Sequence, residues 1–185
     1  MYRRFSFERC CSLLLGLLAL TASAGPPSRE YQIKAAFLLN FAQFVQWPDT
    51  SFTSPGAPLC VGVLGEDPFG GVLEETVRGE SIHDHKLAVR RAAKVEDLAG
   101  CQLVFVSKSE GKRVAEILAR MDSLPVMTVS EVSGFAKQGG TINFYKEQNK
   151  VRFEINPGAA RQRGLKINSQ LLGLGKIVES PPVNK

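Results

Sequence analysis

The chain has 185 residues, 44% hydrophobic and 22% charged, with 23 Lys and Arg against 18 Asp and Glu, a formal charge of +5. This composition excludes a disordered or fibrous chain and makes one globular domain the starting expectation. So mild a positive balance offers no dense basic stripe to displace counterions, which excludes nucleic acid as the main partner.

The first 24 residues differ from the rest. Arg3, Arg4 and Arg9 make a basic start, LLLGLLAL at 13–20 is apolar, and Ala22-Ser23-Ala24 supplies small residues for cleavage. That is the pattern of a secretory signal peptide. A transmembrane anchor needs roughly 20 apolar residues, and this run breaks at Thr21 and Ser23. Cys10 and Cys11 precede the apolar run, so neither stands where a lipid-accepting cysteine would, and both leave with the peptide. Without residues 1–24 there remain 20 basic and 17 acidic side chains, a charge of +3, on a single domain expected over 25–185. The two surviving cysteines, Cys60 and Cys101, then belong to an oxidising compartment.

After a short polar leader, KAAFLLNFAQFVQWP at 34–48 reads as the first helix, running to Trp47 and stopped by Pro48. Asn40, Gln43 and Gln46 lie three apart along one narrow strip, while Ala36, Phe37, Phe41, Phe44, Val45 and Trp47 cover the rest. The segment is too short and too polar to span a bilayer. A helix of this kind is expected to be buried on most of its circumference, by a sheet and by neighbouring helices or a second copy in a homodimer.

Residues 49–58 form a loop by composition. LCVGVLG at 59–65 is a nearly continuous apolar run, the signature of a strand covered on both faces. GEDPFGG comes next, then a short helix in GVLEETVRG, an alternating strand at 85–92, a connector at 94–99 and a third strand at 102–107. Val114, Ile117, Leu118 and Met121 fall at i, i+3, i+4 and i+7, an amphipathic helix, and PVMTVSE is a fourth strand. TINFYKEQNKVRFEIN makes an antiparallel hairpin around 148–150, with Ile142 and Phe144 on the same side as Val151, Phe153 and Ile155. Asn156-Pro157 opens a helix that ends at Gly164, and Ser169 is the expected cap of a last turn or two. Strands separated by helices require crossovers. The expected fold is therefore α/β: a mainly parallel central sheet of five to six strands, helices on both faces and a C-terminal antiparallel hairpin.

Cys60 and Cys101 each stand at the start of a buried strand on equivalent phases of the two-residue period. If those strands are parallel neighbours, about 4.8 Å apart, the thiols come within disulfide reach; the alternative is two buried free thiols. His83, Asp84 and His85 lack a third histidine and read as a polar turn, so no metal site is expected. GEDPFGG has neither the GK[ST] ending nor the GxGxxG spacing of a phosphate-binding loop, and Glu66 and Asp67 would repel phosphate, so it reads as a structural turn rather than a pocket. Ser107 and Ser109 have no histidine downstream and no G-x-S-x-G elbow. The basic groups Arg90, Arg91, Lys94 and Arg161, Arg163, Lys166 read as solvated faces. With no catalytic constellation and no cofactor motif, a binding module is expected rather than an enzyme. One alternative is a small-ligand receptor coupled to a sensor kinase or transporter, with Glu66, Asp67 and Ser107 lining its pocket beyond the strand ends.

KAAFLLNFAQFVQWP, GVLGEDPFG, CQLVFVSKSE, VMTVSEVSGFAKQGGTINFYKEQNKVRFEIN and GLKINSQLL together resemble, in order and spacing, the YfiR/HmsC family of bacterial periplasmic proteins. The resemblance implies a periplasmic repressor that binds the extracytoplasmic domain of an inner-membrane diguanylate cyclase and lowers cyclic di-GMP and biofilm formation. It implies an outer-membrane lipoprotein as a second partner. Cys60 and Cys101 match the family's frequent cysteine pair. A second pair found in some members has no counterpart between Asn143 and Val151, so a redox switch resting on that bridge lacks its cysteines here. Gly173 and Gly175 interrupt a last helix that is usually continuous, at roughly 1 kcal/mol each relative to Ala. Partner contact is expected at the exposed side of the terminal hairpin and in the segment C-terminal to it, through Arg152, Glu154, Lys166 and Ile167.

Overall fold

The computed structural model describes residues 28–180; the signal peptide expected over 1–24 lies outside them. The first helix, α1 (Arg29–Gln43), starts before the apolar run and ends four residues short of Trp47. A helix continuing to Trp47 would bring the ring of Pro48 against the carbonyl of Phe44 and leave that carbonyl without a donor. Instead the Phe44 N–H closes the helix on the Asn40 and Phe41 carbonyls, and the freed Phe44 carbonyl accepts from the Asn168 N–H at 2.9 Å. Val45–Gln46 (β1) then pairs antiparallel with Lys166–Ile167 (β9), placing Val45 opposite Ile167.

The central sheet has eight strands: β2 (Leu59–Leu64), β3 (Ser81–Ile82), β4 (His85–Ala92), β5 (Leu103–Val106), β6 (Met127–Ser130), β7 (Ile142–Glu147), β8 (Lys150–Ile155) and β10 (Lys176–Ile177). Their order is β10-β8-β7-β6-β5-β2-β4-β3. Pairing is parallel from β4 through β2, β5 and β6 to β7, antiparallel at β7–β8 and at β3–β4. The expected five to six strands are the long ones. The two-residue edges β3 and β10 are too short for any period to show.

The pleat sends side chains to two faces, and β2 and β5 feed a core on each. Leu59, Val61, Val63, Leu103, Phe105, Met127, Val129, Ile142, Phe144, Phe153 and Ile155 face α1 and α2 (Val72–Val77), while Cys60, Leu64, Val104 and Val106 face α3 (Val114–Met121) and Phe135. Leu171 from α5 (Ser169–Leu174) and Ala160 from α4 (Pro157–Gln162) join the α1 side. Along α1, Ala35, Leu38, Phe41 and Ala42 are buried, with Phe41 stacked on Phe144 at 5.6 Å and edge-on to Phe153 at 5.0 Å. Asn40 and Gln43 face solvent, as their spacing requires, but so do Ala36 and Ile33. The helix is thus buried on one face, not on most of its circumference.

Cys60 and Cys101 are joined in a disulfide, with Cα atoms 4.4 Å apart. Their alignment differs from the expected one. Val61 pairs with Leu103, so Cys60 is level with Gln102, and Cys101 lies one residue below, before β5 begins. Lying outside the strand, Cys101 is not bound to the pleat, which lets its sulfur reach Cys60. Gln102 fastens the same corner: its side-chain carbonyl accepts from the Cys60 N–H at 2.8 Å, and its amide donates to Ser51 and Gly100 carbonyls.

The hairpin turn uses Gln148 and Asn149, both at positive φ (47° and 60°), the two-residue turn whose twist matches that of the strands. His83 and Asp84 (φ 48° and 68°) make the same turn between β3 and β4. Asn156 caps α4 by accepting from the Ala159 N–H. The last helix is capped by Asn168, which accepts from the Gln170 N–H, and not by Ser169, its first helical residue. Among the described residues no helix is long and apolar enough to cross a membrane.

Candidate functional site

The chain leaves the carboxyl end of β2 toward the α1 face, through α2, to reach β4. It leaves the end of β5 toward the opposite face, through α3, to reach β6. The two loops therefore part between β2 and β5, where an open α/β sheet leaves a crevice. A cleft of about 210 Å³ lies there, lined by Tyr31, Glu66, Asp67, Pro68, Ser107, Lys108, Ser109 and Glu131. Glu66, Asp67 and Ser107, named only in the alternative small-ligand reading, line it together.

Gly65 allows the first loop to approach the second. Its φ is +88°, and a Cβ on it would lie 2.4 Å from Ser109 Oγ and 2.7 Å from Ser107 Oγ. Ser109 Oγ accepts from the Glu66 N–H at 3.0 Å and bonds Ser107 Oγ at 2.7 Å. Asp67 Oδ1 accepts from the Phe69 N–H, while Oδ2 accepts from Arg91 Nε at 2.6 Å. Arg91 also pairs with Glu74, whose carboxylate, with Asp67, holds the guanidinium above its ordinary range against the opposing effect of burial. Arg91 is therefore a clamp between β4 and the loop rather than part of a free basic face. Arg163 departs from the expected solvated face more strongly: it is buried, donating to the carbonyls of Met121, Gly139 and Ala159.

Behind the cleft is a buried ionic group that the sequence did not announce. Lys34 is 2% exposed, on the core side of α1, and its ammonium binds Glu30 at 2.6 Å and Glu131 more closely still. The Tyr31 hydroxyl donates to Glu131 Oε1 at 2.7 Å, and Lys108 stands 3.5 Å from Oε2. Burial raises the Tyr31 pKa, and the hydrogen bond to the Glu131 carboxylate raises it further. Burial also pushes the Glu30 carboxyl up, but Lys146 and Lys34 outweigh it and hold that carboxyl below its usual range. The one available clue was Glu30-x-x-x-Lys34, an i,i+4 pair, yet its position on the apolar side is set by Glu131, nearly a hundred residues away.

The cleft offers hydroxyls and carboxylates, which can hold a small polar molecule. No histidine lies among the residues that line it. Both histidines sit at the β3–β4 turn, at the opposite end of the strands, where His85 stacks on Phe52 at 3.8 Å and bonds the Ala57 carbonyl. Among the described residues there is no group of three or more His, Cys, Asp or Glu placed to hold a metal.

The four expected partner residues do not form one patch. Arg152 and Glu154 point away from the side that Phe153 and Ile155 pack on, with Arg152 exposed and Glu154 beside Lys176 at 3.5 Å. Lys166 and Ile167 belong to β9, where Ile167 packs against the α1-side core.

No curated protein matches the chain. Among solved structures, a conserved domain protein from Vibrio cholerae O1 biovar El Tor str. N16961 aligns at 11% identity with a TM-score of 0.48, over 64% of this chain and 54% of that one. The chain thus spans about half the length of that protein. Residues 31–176, from the first turn of α1 to the start of β10, match the family model described as YfiR/HmsC-like. A match over these residues, well over half of the chain, places it in the YfiR/HmsC-like family, a family of periplasmic regulators.

Proposed function

We propose that the protein is a non-enzymatic periplasmic repressor that binds the extracytoplasmic sensor domain of an inner-membrane diguanylate cyclase, lowering cyclic di-GMP output and so biofilm formation. The family match over residues 31–176 carries this reading. The mechanism is a population shift: the repressor binds one conformation of the sensor domain better than the other, and can move the equilibrium only by that difference in affinity. The side of the terminal hairpin that bears Arg152 and Glu154, together with Lys166 and Ile167 on β9, supplies candidate contacts. An outer-membrane lipoprotein that sequesters the repressor would relieve it.

The test is cyclase activity in membranes with and without the purified mature protein. Wild type should inhibit, and Arg152→Glu or Glu154→Lys should inhibit less while keeping the circular dichroism of the parent. Full inhibition by both folded variants would remove the hairpin side from the contact. No inhibition by wild type would end the reading.

The meeting of Glu66, Asp67 and Ser107 in one cleft favours a second reading, a receptor for a small polar ligand coupled to a sensor kinase or transporter. Calorimetric titration with amino acids and other small zwitterions tests it. Heats no larger than dilution would exclude that class.

A further inference from the structure

The start of α1 and the tip of the β7–β8 hairpin enclose a groove of about 450 Å³, separate from the cleft between β2 and β5. Its floor is apolar: Ile33, 40% exposed, with half-buried Phe37 and Val151. Its rim is basic: Arg29, Lys146 and Lys150 stand around it against the single acid Glu30, which is already bound by Lys146 at 2.5 Å and Lys34 at 2.6 Å. The groove's lining side chains therefore sum to two positive charges, although Lys150 stands across the hairpin from Glu147, and the amino end of a helix of 15 residues adds partial positive charge at the same place. The left-handed turn at Gln148 and Asn149 fixes the hairpin tip, so the groove is built on two regular elements.

We infer that this groove takes an apolar side chain flanked by carboxylates, presented by an acidic segment of a protein partner. The inference rests on the proposed function for the identity of that partner as the cyclase sensor domain, and on the groove alone for its chemistry. An anionic membrane surface fits less well. Electrostatic adsorption to lipid takes roughly four to eight clustered Lys or Arg, more than the rim provides. A concave floor also suits an inserted side chain better than a flat array of headgroups.

Two measurements on the mature protein test the inference. In the first, fluorescence polarisation reads binding of a short synthetic peptide with phenylalanine between glutamates, beside the same peptide with lysines in place of the glutamates. The acidic peptide should bind wild type, and the lysine peptide should not. Ile33→Asp and the double variant Arg29→Glu, Lys150→Glu should each weaken binding by roughly tenfold or more, about 1.4 kcal/mol, with circular dichroism unchanged. Equal binding to wild type and folded variants, or no binding to wild type, overturns the inference. So does binding of wild type to phosphatidylglycerol vesicles, lost in the same variants, without binding of the peptide.

In the second, the purified cyclase sensor domain replaces the peptide. If it binds wild type and the groove variants alike, the groove is not the contact and the inference fails while the proposed function stands. If it binds neither while the acidic peptide discriminates, the groove chemistry stands and the proposed function fails.

Discussion

Lys34 is held in the core of the α1 face by two carboxylates, and removing one partner of a buried pair costs more than the pair contributes, because the remaining charge is left desolvated. Glu131→Gln is therefore expected to destabilise the protein, by less than the roughly 3 kcal/mol of a charge left with no partner because Glu30 still pairs with Lys34, read as a lower urea midpoint at unchanged slope. Tyr31 donates to that same carboxylate, and its raised pKa has a definite consequence. The unfolded chain releases the phenolic proton near pH 10, whereas the fold retains it. The stability linked to Tyr31 is thus complete below pH 10 and declines as pH rises above it. Tyr31→Phe, with no proton to release, should flatten the alkaline side of a stability-against-pH profile measured by urea unfolding. At this scale the sequence was least informative. Arg91 and Arg163 sat in basic clusters that read as solvated faces, yet one clamps a loop and the other is buried on three carbonyls. A charged side chain's burial depends on partners distant in the chain, which no local pattern carries.

Gly173 and Gly175 show how differently one residue type acts within a single short element. Gly173 lies inside α5 with nothing within 4 Å of where a Cβ would go, so Gly173→Ala should stabilise the protein by roughly 1 kcal/mol. Gly175 ends the helix, and a Cβ on it would lie 2.6 Å from Phe153 and 2.7 Å from Ile155, so Gly175→Ala should destabilise. Paired thermal melts of the two variants, shifting in opposite directions, would check both. The long strands, the inward-facing side chains of the hairpin and the cap at Asn156 were all readable, since each rests on a period or a local motif, whereas the turn is Gln148-Asn149 and not the expected 148–150, Lys150 being paired with Glu147. Phe144 does oppose Phe153 and Ile142 does oppose Ile155. The end of α1 and the strands β1, β9 and β10 were not readable, because two-residue pairings are specified by the element they meet.

At the scale of the whole molecule, the Cys60–Cys101 disulfide closes the chain across 41 positions between two neighbouring central strands. Such a loop contributes about 4 kcal/mol in the chain-entropy model. Reduction should lower the urea midpoint accordingly, and a Cys60→Ser, Cys101→Ser variant should match the reduced protein and no longer respond to reductant. The cleft between β2 and β5 lies where the alternative reading of GEDPFGG and Ser107 put a pocket, since topology alone places such loops together, although the sequence itself favoured a structural turn there. Its rear wall was not foreseen, because Tyr31 arrives from the far end of the chain. The groove at the hairpin tip escaped for the same reason: its floor is split between residues 33–37 and Val151.

That division has a temporal side. A chain that is made or threaded through a membrane from its amino terminus presents α1 first, while the surfaces that cover it, Glu131, Phe144 and Phe153, emerge last, with Tyr31 and its acceptor 100 residues apart. Contacts of such long range are slow to form, and apolar surface left waiting is prone to aggregate. The first helix therefore has to remain uncovered until nearly the whole domain is present, and a chain cut before the hairpin would leave its phenylalanines with no seat.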